Sequence, residues 1–324
     1  MEIFKNEIKL SDREKLEEFI GGFPHETSGM SFSSIYMWSR EYTYRYEIID
    51  DFLCMAGLGN FKGEEEEPFL FPVLPRGGKC DKDRLAAVLE NLIGRFRKEG
   101  KPFVMRLIPA KLREIYEAAL PERFIFIDDR SNYDYLYRVS DLAELKGKAF
   151  HGKKNHLNRF NCEYGSSCEV IPMSSALTEE ALDLVKRIND GKEVSRCERI
   201  LLEGESLMLE KALPDFEKIG LEGVALKIGG KLQGFAFGGP LGKDTIVEHV
   251  EKANIAYNGI YQKLNNEFCR SLGDRYEFVN REEDMGLEGL RKSKNSYRPV
   301  RLIEKCIALL DGDEEAMERY GKPY

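Results

Sequence analysis

Hydrophobic residues along the chain follow two rhythms. One recurs every three to four positions and marks amphipathic helices; the other falls at every second position or in short unbroken runs and marks strands. Ser11 and Glu14, in Ser-x-x-Glu spacing, form a capping-box pattern that predicts a helix over about 12–20. "GGFPHETSG" breaks the chain, "SSIYMWSR" gives a second short helical stretch, and the extended runs "YTYRYEII", "DFLCMAGL" and "PFLFPVL" follow. Asp50 and Asp51 mark a tight turn between the first two runs, so the three form a meander. Leu85, Val88, Leu89, Leu92 and Phe96 then share one stripe of a helix over about 81–98. "PFVMRLI" reads as strand, "AKLREIYEAAL" as helix, and "RFIFI" and "YDYLYRV" as strands.

The second half repeats this order with different residues. Strand "CEVIPM" and helices over about 178–190 and 197–212 precede the extended runs "GVALKI", "KLQGFAFG" and "DTIVEHVE". Gly229-Gly230 is a hairpin signal between the first two of these runs. A helix over about 258–271, the strand "RYEFVN", a short helix near 286–294 and a last strand "VRLIEKCIAL" complete the chain. The repeated order predicts two similar α/β domains, 1–143 and 144–310, followed by an acidic tail over 311–324. A chain of 324 residues, 42% of them hydrophobic, fits that division, since one core usually organises roughly 100–200 residues.

Composition narrows the setting. No apolar run reaches the roughly 18 residues needed to cross a bilayer, and the first fifteen residues lack the apolar stretch of an export signal. The seven cysteines are scattered, with no Cys-x-x-Cys pair, which predicts reduced, buried thiols and a cytoplasmic location. The formal charge of −8 is unevenly spread. "KGKAFHGKKNHLNR" (146–159) and "RKSKNSYRPVR" (291–301) each carry five Lys or Arg and no acid. "GEEEEP" (63–68) and "DGDEEAMER" (311–319) carry acid and read as solvated loop or terminus.

A meander followed by helix, strand, helix and strand is the order of the GNAT acyltransferase fold, and the chain looks like two GNAT-like domains in tandem. "LYRVSDLAELKGKAFHGKKNHLNRF", "EHVEKANIAYNGIYQKLNNEF" and "YEFVNREEDMGLEGLRKSKNSYRP" resemble soluble bacterial proteins related to the C-terminal domain of phosphatidylglycerol lysyltransferase. The resemblance implies an α/β (α+β) chain in which each domain is a mixed, mostly antiparallel sheet flanked by helices. It also implies acyl or aminoacyl transfer, because those relatives, like the Fem peptidoglycan aminoacyltransferases, move an aminoacyl group from charged tRNA to an acceptor. The implied donor is aminoacyl-tRNA or acyl-CoA with no tightly bound cofactor, and the acceptor an amine or hydroxyl on a small molecule, peptide or lipid headgroup. tRNA is then an expected partner, and DNA is not. The alternative is a non-catalytic GNAT-like module that binds tRNA or an anionic metabolite.

Two departures from the resemblance matter. Full-length lipid lysyltransferases carry a membrane-spanning region that this sequence lacks. Where GNAT enzymes keep a Gly-rich pyrophosphate loop, this chain has "NIAYNG", in which Gly259 alone of those glycines survives. Asn254, Tyr257, Asn258 and Gly259 occupy the donor-loop positions, and the missing glycines argue against tight coenzyme A binding.

The residues can also be weighed singly. Asn280, Glu282 and Glu283 fall at the C-terminal end of the strand "EFVN", where open α/β sheets bind ligands, and either carboxylate could relay a proton from an amine nucleophile. The competing reading is that Glu282, Glu283 and Asp284 cap the next helix. Arg291, Lys292 and Arg298 either complement a helix dipole or hold an anionic group. Tyr297 is a leaving-group acid on the resemblance, or a packing tyrosine. Lys153 and Lys154 flank the apolar side of a helix that presents Phe150, Leu157 and Phe160, and they either track phosphates or face solvent. His249 and Glu251 share a side of their strand by its period of two, so His249 is a candidate base or an interior histidine. No metal site is expected. The second domain is expected to hold the active cleft.

Overall fold

The computed structural model describes residues 3–23, 25–59, 66–190 and 194–321, without the side chain of Cys197. The start of the acidic run 63–68 and the last three residues therefore lie outside it. The chain forms two compact units, one made of residues 1–134, 283–288 and 303–324, the other of 135–282 and 289–302.

The first unit holds an eight-stranded sheet. Its spatial order is Asn6–Glu7, Arg45–Ile49, Phe52–Gly59, Glu67–Leu70, Val104–Pro109, Lys305–Leu310 and Phe124–Asp128, with Leu74–Pro75 added beside Phe52–Gly59. Asp50 and Asp51 make the expected tight turn, both at positive φ (48° and 66°), the geometry that matches the twist of a two-residue hairpin. The helix Lys82–Lys98 starts where Asp81 accepts the amides of Asp83 and Arg84, and buries the predicted stripe from Leu85 to Phe96. The helix Arg13–Ile20 follows a 3-10 turn, Leu10–Asp12, and Asp12 rather than Ser11 supplies the side-chain bond, accepting the amide of Lys9 at 2.9 Å.

The second unit holds a seven-stranded sheet in the order Arg301–Ile303, Asp134–Arg138, Phe278–Asn280, Thr245–Ala253, Lys231–Leu241, Glu222–Ile228 and Cys168–Pro172. Helix Ile260–Leu272 lies on it, with Ile260, Leu264, Phe268 and Leu272 at a spacing of four, all buried among Val224, Leu226, Ala236, Ile246 and Val279. Each of these side chains contributes roughly 1.5–3 kcal/mol on burial. Asn266 of the same helix donates to the carbonyls of Leu142 and Ala143 at 2.9 and 2.8 Å, satisfying the end of helix Val139–Glu144. The basic segment forms helix His151–Tyr164, with Phe150 and Phe160 buried as predicted.

Strand membership differs from a simple division at 143. Asp134–Arg138 pairs with Phe278–Asn280 in the second sheet. The expected single strand "VRLIEKCIAL" divides at Glu304: Arg301–Ile303 joins the second sheet, and Lys305–Leu310 lies between Val104–Pro109 and Phe124–Asp128 in the first. The two segments trade the sheets that sequence proximity assigns them. Buried Asp134 fixes the departure point by accepting Lys305 Nζ at 2.6 Å and the amide and hydroxyl of Ser28 at 2.8 and 2.9 Å. The acidic tail is corrected too. Residues Glu314–Tyr320 form a helix capped by Asp313, with Ala316 and Tyr320 buried against Val104, Ile307 and Leu309. Glu314 and Glu315, which read as solvated terminus, sit favourably in the first turn of that helix.

Candidate active site

Each sheet contains one described pair of parallel strands, and in the second unit that pair opens. Thr245–Ala253 and Phe278–Asn280 are in register from Thr245 and Phe278 to Val247 and Asn280, and no further. The first strand runs on to Ala253; the other chain turns. Asn280 Oδ1 accepts the amide of Glu282 at 2.8 Å, and Glu282 takes φ +55°, a conformation that a side chain with Cβ adopts only at a cost. Its carbonyl accepts from Tyr135 N at 3.1 Å and Lys294 Nζ at 3.3 Å, so three bonds hold the turn. The Glu282 carboxylate thereby meets His249 Nδ1 at 2.8 Å. The imidazole is 1% exposed and the carboxylate 21%, which places Glu282 in front and His249 behind it.

A β-bulge explains the rest. The register between the two long strands passes from Phe237↔Val250 to Gly238↔Glu248, leaving His249 as the extra residue. Gly238 makes room, since a Cβ there would lie 1.9 Å from the carbonyl of Val247. Strict alternation would put Glu248 and Glu251 on opposite faces; the bulge turns both onto Arg281, Glu248 toward Nε and Glu251 toward Nη2. Burial outweighs the Arg281 charge at Glu251 and raises its carboxyl to about 7, with Glu248 adding to the rise. Burial alone would lower Arg281, yet the two carboxylates hold it well above its ordinary value.

Aromatic rings enclose this cluster. The Arg281 guanidinium lies 5.7 Å from the Tyr137 ring centre and 5.1 Å from that of Tyr297, and Lys153 Nζ sits 3.9 Å from the Tyr297 ring centre. Tyr137 donates its hydroxyl to the Lys294 carbonyl at 2.9 Å. Tyr297 is buried, its hydroxyl bonds with Gln262, and burial together with the Glu251 charge pushes its phenol far up.

The structure thus brings together His249, Glu282, Asn280, Tyr297 and Lys153 of the residues expected from sequence. Glu283 belongs to the first unit, where its carboxylate lies 3.8 Å from Lys305 Nζ. Asp284 is buried in that unit, accepting from Gly286 N at 2.9 Å and from Arg130 at 3.1 Å, and so makes a turn instead of capping a helix. Lys154, Lys292 and Arg298 are exposed and Arg291 half-buried, on the two segments that Lys153 and Tyr297 join. The "NIAYNG" loop is tied to itself and to the basic helix. Asn254 bonds Gln233 at 3.0 Å and the Ala256 amide at 3.1 Å, Tyr257 packs edge-on against Tyr164, and Asn258 is exposed. Gly259 has φ +86°, and a Cβ there would lie 2.5 Å from the carbonyl of His156. Sequence reasoning missed Glu248 and Arg281, placed Lys294 only among the basic residues near a helix C-terminus, and left Glu251 only as a neighbour of His249; the Gly238-Gly239 pair opposite the bulge was the available signal.

The parallel pair of the first unit is shorter still. Glu67–Leu70 and Val104–Pro109 meet only at Leu70↔Met105, after which Phe71 N bonds back to Met55 O at 2.8 Å. Met30, Leu53, Met55, Phe71 and Leu74 leave about 10 Å³ among them, too little for more than about one water.

Two mixed, mostly antiparallel sheets flanked by helices are the arrangement expected from the sequence of a tandem GNAT-like chain. The family model "Phosphatidylglycerol lysyltransferase, C-terminal" matches residues 22–309, and the chain belongs to that family. A conserved protein of unknown function from Bacteroides thetaiotaomicron is 37% identical, with a TM-score of 0.82 over 94% of this chain and 99% of that one. L-PGS from Bacillus licheniformis shares the fold at 14% identity, with a TM-score of 0.62 over 96% and 95% of the two chains. An uncharacterized protein of Mycoplasmoides gallisepticum is 26% identical over 181 residues, 55% of this chain and 56% of its own length, so the match spans about half of that relative. Among the described residues no helix is long and apolar enough to cross a membrane.

Proposed function

We propose that this chain is an aminoacyltransferase that carries an aminoacyl group from aminoacyl-tRNA to an amine or hydroxyl acceptor. The observation that carries the reading is the 2.8 Å bond between His249 and Glu282 where the parallel strands separate. Glu282, the more exposed partner, takes the proton from the attacking nitrogen or oxygen as that atom bonds to the donor carbonyl carbon. His249 holds the carboxylate in position and shares the proton. Arg281, saturated by Glu248 and Glu251, anchors the backbone beside Glu282 and does not bind substrate.

A polyanionic donor is favoured by Lys154, Lys292 and Arg298, exposed on segments that meet at the site. A coenzyme A pyrophosphate is disfavoured because Gly259, at the start of helix Ile260–Leu272, is packed on the His156 carbonyl. Two experiments test the proposal. Glu282→Gln should slow single-turnover transfer by about 10²–10⁴-fold, while Glu283→Gln leaves it within a factor of about three; equal effects would refute the assignment. Binding of bulk bacterial tRNA should weaken steeply with salt, and a Lys154→Ala, Arg298→Ala variant should flatten that slope. Salt-dependent binding with no product from any aminoacyl donor would replace the enzyme with a binding module.

A further inference from the structure

We propose that Lys153 is the general acid of the transfer step, handing a proton from its ammonium to the departing oxygen or sulfur of the donor. This rests on the transferase reading above. Three basic groups converge on the aromatic cluster, and two of them are engaged: Arg281 by two carboxylates, Lys294 by the carbonyls of Arg281 and Glu282. Lys153 pairs with no carboxylate among the described residues, and its amine rests over the face of Tyr297, 3.9 Å from the ring centre. That ring also carries the Arg281 guanidinium, so two cations share one tyrosine within the same unit.

Such a seat makes a proton easier to lose. Burial and then the neighbouring Arg281 charge lower the Lys153 ammonium from its ordinary value, while Glu251 opposes them. A surface lysine, near about 10.4, holds its proton too tightly to be an efficient acid at neutral pH. Tyr297 moves the other way, its phenol pushed up and its hydroxyl held by Gln262, so its part is to seat the amine. The groups facing Lys153 are Tyr297 beyond helix Glu288–Ser296, Arg281 beyond the strand Phe278–Asn280, and Glu251 of the strand Thr245–Ala253.

The step balances without a further reactant. The acceptor nitrogen or oxygen bonds to the carbonyl carbon and gives its proton to Glu282. The ester C–O or thioester C–S bond breaks, its electron pair leaves on oxygen or sulfur, and Lys153 protonates that atom. Solvent then returns a proton to Lys153 and takes one from Glu282.

The test compares single-turnover transfer of one aminoacyl group by the full chain from two donors, the 3′-ribose ester of tRNA and a p-nitrophenyl ester. The second leaving group needs no acid. Lys153→Met should lose about 10²-fold or more on the ribose ester and less than about 10-fold on the p-nitrophenyl ester. Lys153→Arg should not rescue, because a guanidinium does not release its proton. Glu282→Gln should lose activity on both donors alike. Equal losses for Lys153→Met on the two esters, or rescue by arginine, would overturn the proposal and leave the transferase reading intact. A wild type inert on both esters would overturn both. Independently of turnover, the ¹³C-dimethylamine resonance missing from Lys153→Met should titrate below the other lysines after reductive methylation; titration among them would also overturn the proposal.

Discussion

Glu251 offers a test of the bulged cluster that needs no substrate. Its carboxyl is raised from 4.5 to about 7, because burial outweighs the attraction of Arg281. Between those values the native chain keeps a proton that the unfolded chain has released, so this group lowers stability as pH rises across the window and has a constant effect above it. A shift of that size corresponds to about 3 kcal/mol. Glu251→Gln mimics the protonated acid at every pH and should remove the dependence. The natural readout is hydrogen exchange at amides of the strand Thr245–Ala253, wild type and variant compared at each pH, since this reports opening of the second unit alone. The two should exchange alike near pH 4.5, and by pH 7.5 the wild type should exchange faster by about 10²-fold. A ratio that stays constant over the window, or a variant that becomes the faster, would refute both the buried placement of Glu251 and the bulge that puts it there.

Two further substitutions test the frame of the site. Gly259→Ala demands a left-handed residue and drives Cβ to within 2.5 Å of the His156 carbonyl; it should cost roughly 1–2 kcal/mol from the conformation alone and lower the midpoint of thermal unfolding, and a neutral result would contradict the packing of the basic helix. Lys305→Met removes the ammonium that buried Asp134 accepts at 2.6 Å and should destabilise the first unit by roughly 3–5 kcal/mol. The single tryptophan, Trp38, lies in that unit and gives the signal. Adding Asp134→Asn should recover more than half of the loss.

Local pattern made most elements legible. The stripe Leu85 to Phe96, the Asp50-Asp51 and Gly229-Gly230 turns, and the buried side of helix His151–Tyr164 each depend on residues close in sequence, and each appears as the spacing predicts. The exchange of strands was not legible. "YDYLYRV" and "VRLIEKCIAL" carry hydrophobic patterns that either sheet could bury, and what assigns them is a long-range pair, Asp134 with Lys305, that no local rhythm encodes. The bulge was hidden for a related reason. An alternation reading presumes unbroken register, and one extra residue reversed the sidedness of everything beyond it, so Glu251 was read as the companion of His249 when its partner is Arg281. The tail failed because five acids near a terminus outweighed Ala316 and Tyr320, whose spacing of four is what a short docked helix needs.

The adjacent acids Glu282 and Glu283 show why the site could be narrowed but not resolved from sequence. Both stand at the end of a strand, and both could serve as a base. The backbone separates them: at φ +55° the chain reverses at Glu282, whose carboxylate reaches His249, and the next residue joins the other unit, where its carboxylate faces Lys305. Backbone strain and buried charge do not by themselves mark the site. In the first unit Val104–Pro109 carries Leu107 at φ +59°, a register shift against Lys305–Leu310, and buried Arg106 paired with Asp129 at 3.3 Å; in the second, Thr245–Ala253 carries the bulge at His249, and Glu282 stands at φ +55°. Both features reduce stability wherever they occur, so what distinguishes the second opening is the partly exposed Glu282 carboxylate in front of a buried imidazole.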